Sequence, residues 1–219
     1  MTTESEYSSS PQANLETRLR RARFIPILTV DDDATALSVA DALAAGGVHA
    51  LEITLRTAAG LPALERIRRA IPQMTLAAGT VRSIHDYHRA IDAGADFVVS
   101  PGSTQTLLRY ASTAAVPLLP GIATASELMM GFEQGYRGFK FFPAGVNGGI
   151  QAVRALLGPF ADVWLVPTGG IGGDEAGSYL SEPNVAAVGG TWLVPEALVA
   201  ARDWAGLERL ARDCLKALD

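Results

Sequence analysis

A chain of 219 residues with 48% hydrophobic content is long enough to bury one sizeable core. Its net charge of −5, with no basic tract beyond the N-terminal region, argues against nucleic acid as the main partner. A single cysteine, Cys214, excludes an intramolecular disulfide and a thiolate zinc cluster and fits a reducing compartment. The N-terminal MTTESEYSSS lacks the apolar core of a secretory signal and no apolar run reaches membrane-spanning length, so a soluble, cytoplasmic, single-domain protein without a membrane partner is expected.

In chain order, residues 1–12 are rich in Ser and Thr without periodicity and predict a disordered tail. Leu15–Arg23 predicts a short basic helix, with Leu15, Leu19 and Ala22 on one face and the arginines on a solvated one. Phe24–Val30 is the first strand-like run. Asp31–Asp33 then cap a helix that Gly46–Gly47 ends. The unit repeats, with strands predicted near Ala50–Leu55, Met74–Gly79, Phe97–Ser100, Pro117–Pro120, Phe139–Phe142, Val163–Pro167 and Ala186–Gly189. Helices are predicted near Asp33–Ala45, Ala58–Ala70, Ser83–Ala93, Gln105–Ala114, Ala125–Gln134, Ile150–Leu156, Asp174–Leu180 and Glu196–Leu218. Strands alternating with helices indicate a parallel α/β protein. No G-x-G-x-x-G opens a helix after the first strand, which argues against a Rossmann fold. Eight units in a chain of this length favour one (β/α)8 barrel domain over residues 13–219.

Barrel enzymes place their chemistry where the strands end at the C-terminal face, and the polar residues of this chain gather there. Only two lysines occur, Lys140 and Lys216. Lys216 lies among Arg212, Asp213 and Asp219 on a polar helix face. Lys140 lies among Phe139, Phe141 and Phe142, where a buried ammonium is expensive unless it is paired or gives up its proton. Lysine, unlike arginine, can shed that proton and act as a nucleophilic amine. Local composition alone equally allows a snorkelling or structurally paired lysine.

The second strand, ALEITLR, alternates Glu52, Thr54 and Arg56 with Leu51, Ile53 and Leu55. If Phe139 and Phe141 pack against helices, Lys140 points inward together with Glu52. An inward lysine, an inward glutamate and a nearby arginine are hard to justify as core packing. The third strand ends at Thr80 and the fourth at Pro101. The last two strands run into PTGGIGG (Pro167–Gly173) and VGGTW (Val188–Trp192), whose exposed backbone N–H groups suit an anion. His85 and His88 stand three apart on a polar helix without a third ligand, so no metal is expected.

LEITLRT, GTV, SPG, GFKFFPA, PTGGI and GGTWL, in this order, resemble the 2-keto-3-deoxy-6-phosphogluconate (KDPG) and 4-hydroxy-2-ketoglutarate (KHG) aldolase family, from about Phe24 to the C-terminus. The resemblance implies a class I aldolase on a (β/α)8 barrel, homotrimeric, using neither metal nor organic cofactor. Its substrate would be a phosphorylated 2-keto acid, cleaved to pyruvate and glyceraldehyde 3-phosphate. It further implies Lys140 as the Schiff-base lysine and Glu52 as the general acid/base. Arg56 and Thr80 would hold the pyruvyl carboxylate, Pro101 and Phe142 would line the pocket, and Thr168 would contact the keto acid. Gly169, Gly170, Gly189, Gly190 and Thr191 would receive the phosphate. Thr191 departs from the serine of the better-known members. Cleavage of the galactonate epimer or of KHG, and a barrel that binds a phosphorylated ligand without chemistry, are the competing readings; whether Arg82 reaches substrate is left open.

Overall fold

The period-two runs become strands and the longer amphipathic runs become helices, over residues 10–217 of the computed structural model. Helix α1 (Pro11–Ala22) precedes β1 (Phe24–Leu28), α2 (Asp33–Ala45), β2 (Ala50–Thr54), α3 (Gly60–Ala70), β3 (Thr75–Gly79), α4 (Ile84–Asp92) and β4 (Phe97–Val99). Then follow α5 (Gln105–Ala111), β5 (Leu118–Leu119), β6 (Gly121–Ile122), α6 (Ala125–Glu133), β7 (Gly138–Phe141) and α7 (Gly149–Leu157). The chain ends with β8 (Trp164–Pro167), α8 (Gly173–Leu180), β9 (Val188–Gly190), α9 (Glu196–Ala200) and α10 (Trp204–Lys216).

All strand pairs are parallel. Six strands run in the order β5-β4-β3-β2-β1-β9 and three in the order β6-β7-β8. The predicted fifth strand is split at Pro120, which has no N–H to donate. Its two pieces serve opposite neighbours: Ser100 N donates to Leu119 O at 3.3 Å, and Lys140 N donates to Pro120 O at 2.9 Å. Two isolated bridges, Leu165↔Val185 and Thr168↔Gly189, lie between β8 and the β9 region. The product is an α/β fold on a curled parallel sheet.

The curl gives two apolar layers. Outward-facing residues such as Leu51, Ile53, Phe139 and Phe141 pack with the helices, whereas Ile25, Phe97, Val99, Leu119, Trp164 and Val166 fill the inside. Helix α1 completes the inner layer, because Leu15 and Leu19, one turn apart, are both buried in it.

Three expectations need correction. Residues 1–9 lie outside the described residues, but the expected tail of 1–12 is too long: Ser10 accepts from Ala13 N and Pro11 opens α1, so 11 and 12 are helical. The arginines of α1 are more than a solvated face. Arg18 pairs with Asp96 (3.2 Å) and Thr75 (3.0 Å), and Arg20 donates to Val185 O at 3.0 Å, tying the helix to strand ends. The long C-terminal helix is two, since Arg202 turns to φ 52° and Asp203 caps α10 by accepting from Gly206 N at 2.8 Å. Leu218 and Asp219 lie outside the described residues.

Candidate active site

Alternation along β2 sends Leu51 and Ile53 to the helices and leaves Glu52 facing the inside of the curl. Along β7 the same rule sends Phe139 and Phe141 outward and Lys140 inward. The two strands are not neighbours, yet Lys140 Nζ lies 3.1 Å from Glu52 Oε1 and 3.3 Å from Oε2. Lys140 is 6% exposed and Glu52 4%, so the pair is desolvated and each charge depends on the other. Gly79, on the adjacent strand, makes the geometry possible: a Cβ there would lie 2.1 Å from Glu52 Oε1. The ring of Phe142 stands beside the amine, its centroid 5.3 Å from Nζ.

The remaining candidates arrange themselves around this pair. Strand β2 stops at Thr54, so Arg56 lies in the following turn, exposed, with Nε donating to Thr80 Oγ1 at 3.3 Å. Thr80 sits at φ 64°, a left-handed conformation that costs about 1–3 kcal/mol for a residue of its kind and that clusters at functional sites. Thr54 is buried, and its hydroxyl meets that of Thr29 at 2.7 Å. Pro101 is exposed and its backbone packs on Gly121, the register partner of Lys140.

Past β8, Thr168 is buried and donates to Val166 O at 3.3 Å. Gly189 leaves it room, since a Cβ there would lie 2.5 Å from Thr168 Oγ1. Gly169 and Gly170 take φ 90° and 73°, values open to glycine. Ala144 N donates to Thr168 O at 2.8 Å and Gly145 N to Gly169 O at 2.9 Å, so the loops after β7 and β8 are zipped together. A groove of about 420 Å³ opens beside Gly170, walled by Gly145, Gly149, Glu175 and Tyr179. Gly190 is buried and Thr191 exposed at the end of β9.

Lys140, Glu52 and Phe142 thus come together, Arg56 joins Thr80, and Phe142 reaches the Gly169 loop. Arg82 and His88 make their contacts elsewhere. Arg82 is exposed and its backbone N donates to Asp86 Oδ2 at 3.2 Å. His88 Nε2 meets Tyr110 OH at 2.8 Å, and among the described residues no three of His, Cys, Asp and Glu are grouped to hold a metal. Gly79 and the Thr29–Thr54 pair were not singled out from sequence. Gly79 closes AAG, one residue before Thr80, but nothing local says that a carboxylate from β2 needs its space.

A parallel α/β fold carrying a buried amine against a buried carboxylate inside its curled sheet defines a protein equipped for lysine-based covalent chemistry. The family model described as KDPG and KHG aldolase matches residues 15–210, and the chain belongs to that family. It is 50% identical over 204 residues to a 2-dehydro-3-deoxy-phosphogluconate aldolase of Pseudomonas aeruginosa, covering 93% of each chain. It is 40% identical to the KHG/KDPG aldolase of Escherichia coli, covering 94% of this chain and 96% of that one. Among solved structures, the KDPG aldolase of Legionella pneumophila, with pyruvate captured at low pH as a covalent carbinolamine, superposes with a TM-score of 0.89 at 40% identity. That match covers 94% of this chain and 98% of the other.

Proposed function

We propose that this chain is a class I aldolase, a carbon–carbon lyase that cleaves KDPG to pyruvate and glyceraldehyde 3-phosphate, with Lys140 as the covalent residue. The observation that carries the assignment is the buried contact of 3.1 Å between Lys140 Nζ and Glu52 Oε1, the only inward amine set against an acid/base group able to accept its proton among the described residues. The covalent pyruvate in the Legionella relative supports the same chemistry.

Neutral Lys140 attacks the C2 ketone; the carbinolamine loses water and becomes an iminium. Glu52, directly or through water, takes the proton of the C4 hydroxyl. The C3–C4 bond breaks, its electron pair flows into the iminium to give an enamine, and glyceraldehyde 3-phosphate departs. Glu52 returns the proton to C3, and hydrolysis frees pyruvate and Lys140. Arg56 and Thr80 hold the pyruvyl carboxylate, with Pro101 and Phe142 as walls and Thr168 against the keto acid. The phosphate lies on Gly169, Gly170, Gly189, Gly190 and Thr191, where backbone donors meet the first turn of α8. KHG is a second substrate on this reading, supported by the name of the Escherichia coli relative. The ratio of the two kcat/KM values, measured on one preparation, checks this, and no turnover of KHG would remove it.

Incubation with pyruvate and borohydride is expected to fix one adduct per chain on the peptide carrying Lys140, with activity lost in parallel. Lys140→Arg should abolish both trapping and turnover, because a guanidinium keeps its charge and cannot form the imine. An adduct on Lys216, or activity retained in the arginine variant, would overturn the assignment.

The same reading makes residues 11–217 one closed (β/α)8 barrel in the cytoplasm. Closure is supported by Leu165 N donating to Asn184 O at 2.7 Å and Ala186 N to Leu165 O at 2.9 Å, which join β8 to the approach of β9. Among the described residues no helix is long and apolar enough to cross a membrane. The active species is a homotrimer. Sedimentation equilibrium should return three times the chain mass of 23.0 kDa, and a monomer mass in an active sample would exclude it.

A further inference from the structure

Trp192 follows directly on the last candidate phosphate residue, and its indole fills the space between two loops. On one side is Gly190, where a Cβ would lie 1.6 Å from Trp192 Cζ3 and 2.0 Å from Cε3. On the other is Gly173, the first residue of α8, where a Cβ would lie 3.0 Å from Cδ1 and 3.4 Å from Nε1. The ring also meets Phe24 of β1 edge-on, with centroids 5.9 Å apart and planes at 86°. Its Nε1–H is buried and has no hydrogen-bond partner among the described residues. A buried donor left unpaired is unfavourable, so the indole is held there by its shape and not by that bond.

We propose that Trp192 is the positioning residue of the phosphate end. Its indole is the spacer that sets the distance between the Gly190–Thr191 turn and the first turn of α8, and Gly190 is glycine to admit the indole. Backbone donors serve an anion only when they converge on it, so two loops carrying donors need a rigid part between them. A side chain at Gly190 would have to displace either the ring or the strand that carries it. The proposal rests on the phosphate reading above, and it gives the glycine a reason other than close approach of the ligand.

The test is a double-mutant cycle on the intact enzyme, read on two ligands. Gly190→Ala alone should raise KM for the phosphorylated substrate about tenfold or more, a size within the coupling range of contacting residues. Exchange of the pyruvate methyl protons with solvent, which needs Lys140 and Glu52 but no phosphate, should change less than about threefold, well under the 10²-fold or greater loss expected on removing an acid/base group. Trp192→Phe, which takes away the part of the ring lying over Gly190, should raise the same KM more mildly. In the Trp192→Phe background, Gly190→Ala should then add little or nothing. An undiminished Gly190→Ala effect in that background, or equal losses in both readouts, overturns the proposal. Should Gly190→Ala not fold by itself, recovery of pyruvate exchange in the double variant supports the proposal and failure to recover overturns it. Inorganic phosphate competing with phosphorylated substrate in the unaltered enzyme checks the underlying reading separately. Absence of that competition would sink the phosphate site, whereas competition without coupling would sink only the role of Trp192.

Discussion

Glu52 is held from three sides: by its own strand, by the amine of Lys140, and by the missing side chain of Gly79. Glu52→Gln keeps shape and hydrogen bonding but removes the proton acceptor, so cleavage should fall by roughly 10²- to 10⁴-fold, as for other acid/base groups. Gly79→Ala tests the same atom without touching it. The new methyl would stand 2.1 Å from Oε1, so the carboxylate must leave the amine, and turnover should fall while Arg56 and Thr80 stay in place. Steady-state kinetics on purified variants check both, and near-normal turnover in either would remove Glu52 from its assigned role. Period two alone puts Glu52 and Lys140 on the faces opposite Leu51, Ile53, Phe139 and Phe141, and the packing of those four on the helices makes both positions inward. Their contact is not legible from that period, because the partners stand 88 residues apart.

Among the elements, α1 has the least obvious purpose from its composition and the clearest one from its packing. Leu15 and Leu19 reach the inner core, Gln12 donates to Leu118 O at 3.1 Å and accepts from Arg137 N at 2.9 Å, and Arg18 and Arg20 bind strand ends. The helix therefore closes the end of the curl opposite the catalytic pair. Leu19 is fully buried, so Leu19→Ala should destabilise the fold by about 2–5 kcal/mol, the usual range for such a truncation in a core. Denaturant unfolding measures this, and a loss under about 0.5 kcal/mol, the level of ordinary surface substitutions, would mean that α1 is only laid against the surface. The split of the C-terminal helix escapes the sequence reading because no glycine or proline stands at it; Arg202 takes the positive φ and Asp203 supplies the cap.

For the molecule as a whole, buried tyrosines set an alkaline limit. Burial, with Tyr110 nearby as a smaller cause, pushes the Tyr87 phenol up to about 12, and its hydroxyl donates to Val116 O. Burial pushes Tyr136 upward as well. The folded chain therefore holds these protons more tightly than the unfolded chain does. The resulting stability is fully present below the ordinary tyrosine value of about 10 and is lost as pH rises through the folded value near 12. Denaturation midpoints measured across that window should fall. Tyr87→Phe should flatten the fall, with Tyr136 and Tyr179, both also raised by burial, contributing to what remains, and an unchanged slope would show that Tyr87 contributes nothing to it.

Sequence by itself determined the alternation of strands and helices, the strand faces that set Glu52 and Lys140 opposite their apolar neighbours, the glycine pairs at the last two strand ends, and the family. The alternation, the strand faces and the turns follow from local periods and turn chemistry, which neighbouring residues impose on one another within a few positions, and the family follows from the likeness of the motifs. Tertiary structure alone decided which inward residues touch. It set the 3.1 Å contact of Lys140 with Glu52, gave Gly79 and Gly190 their steric reasons, broke the fifth strand at Pro120 between two neighbours, and turned α1 from a basic surface helix into the closing face of the inner core. Those outcomes depend on strand register and on the curl of the sheet. Both are set by the packing of the entire chain, so no window of sequence contains them.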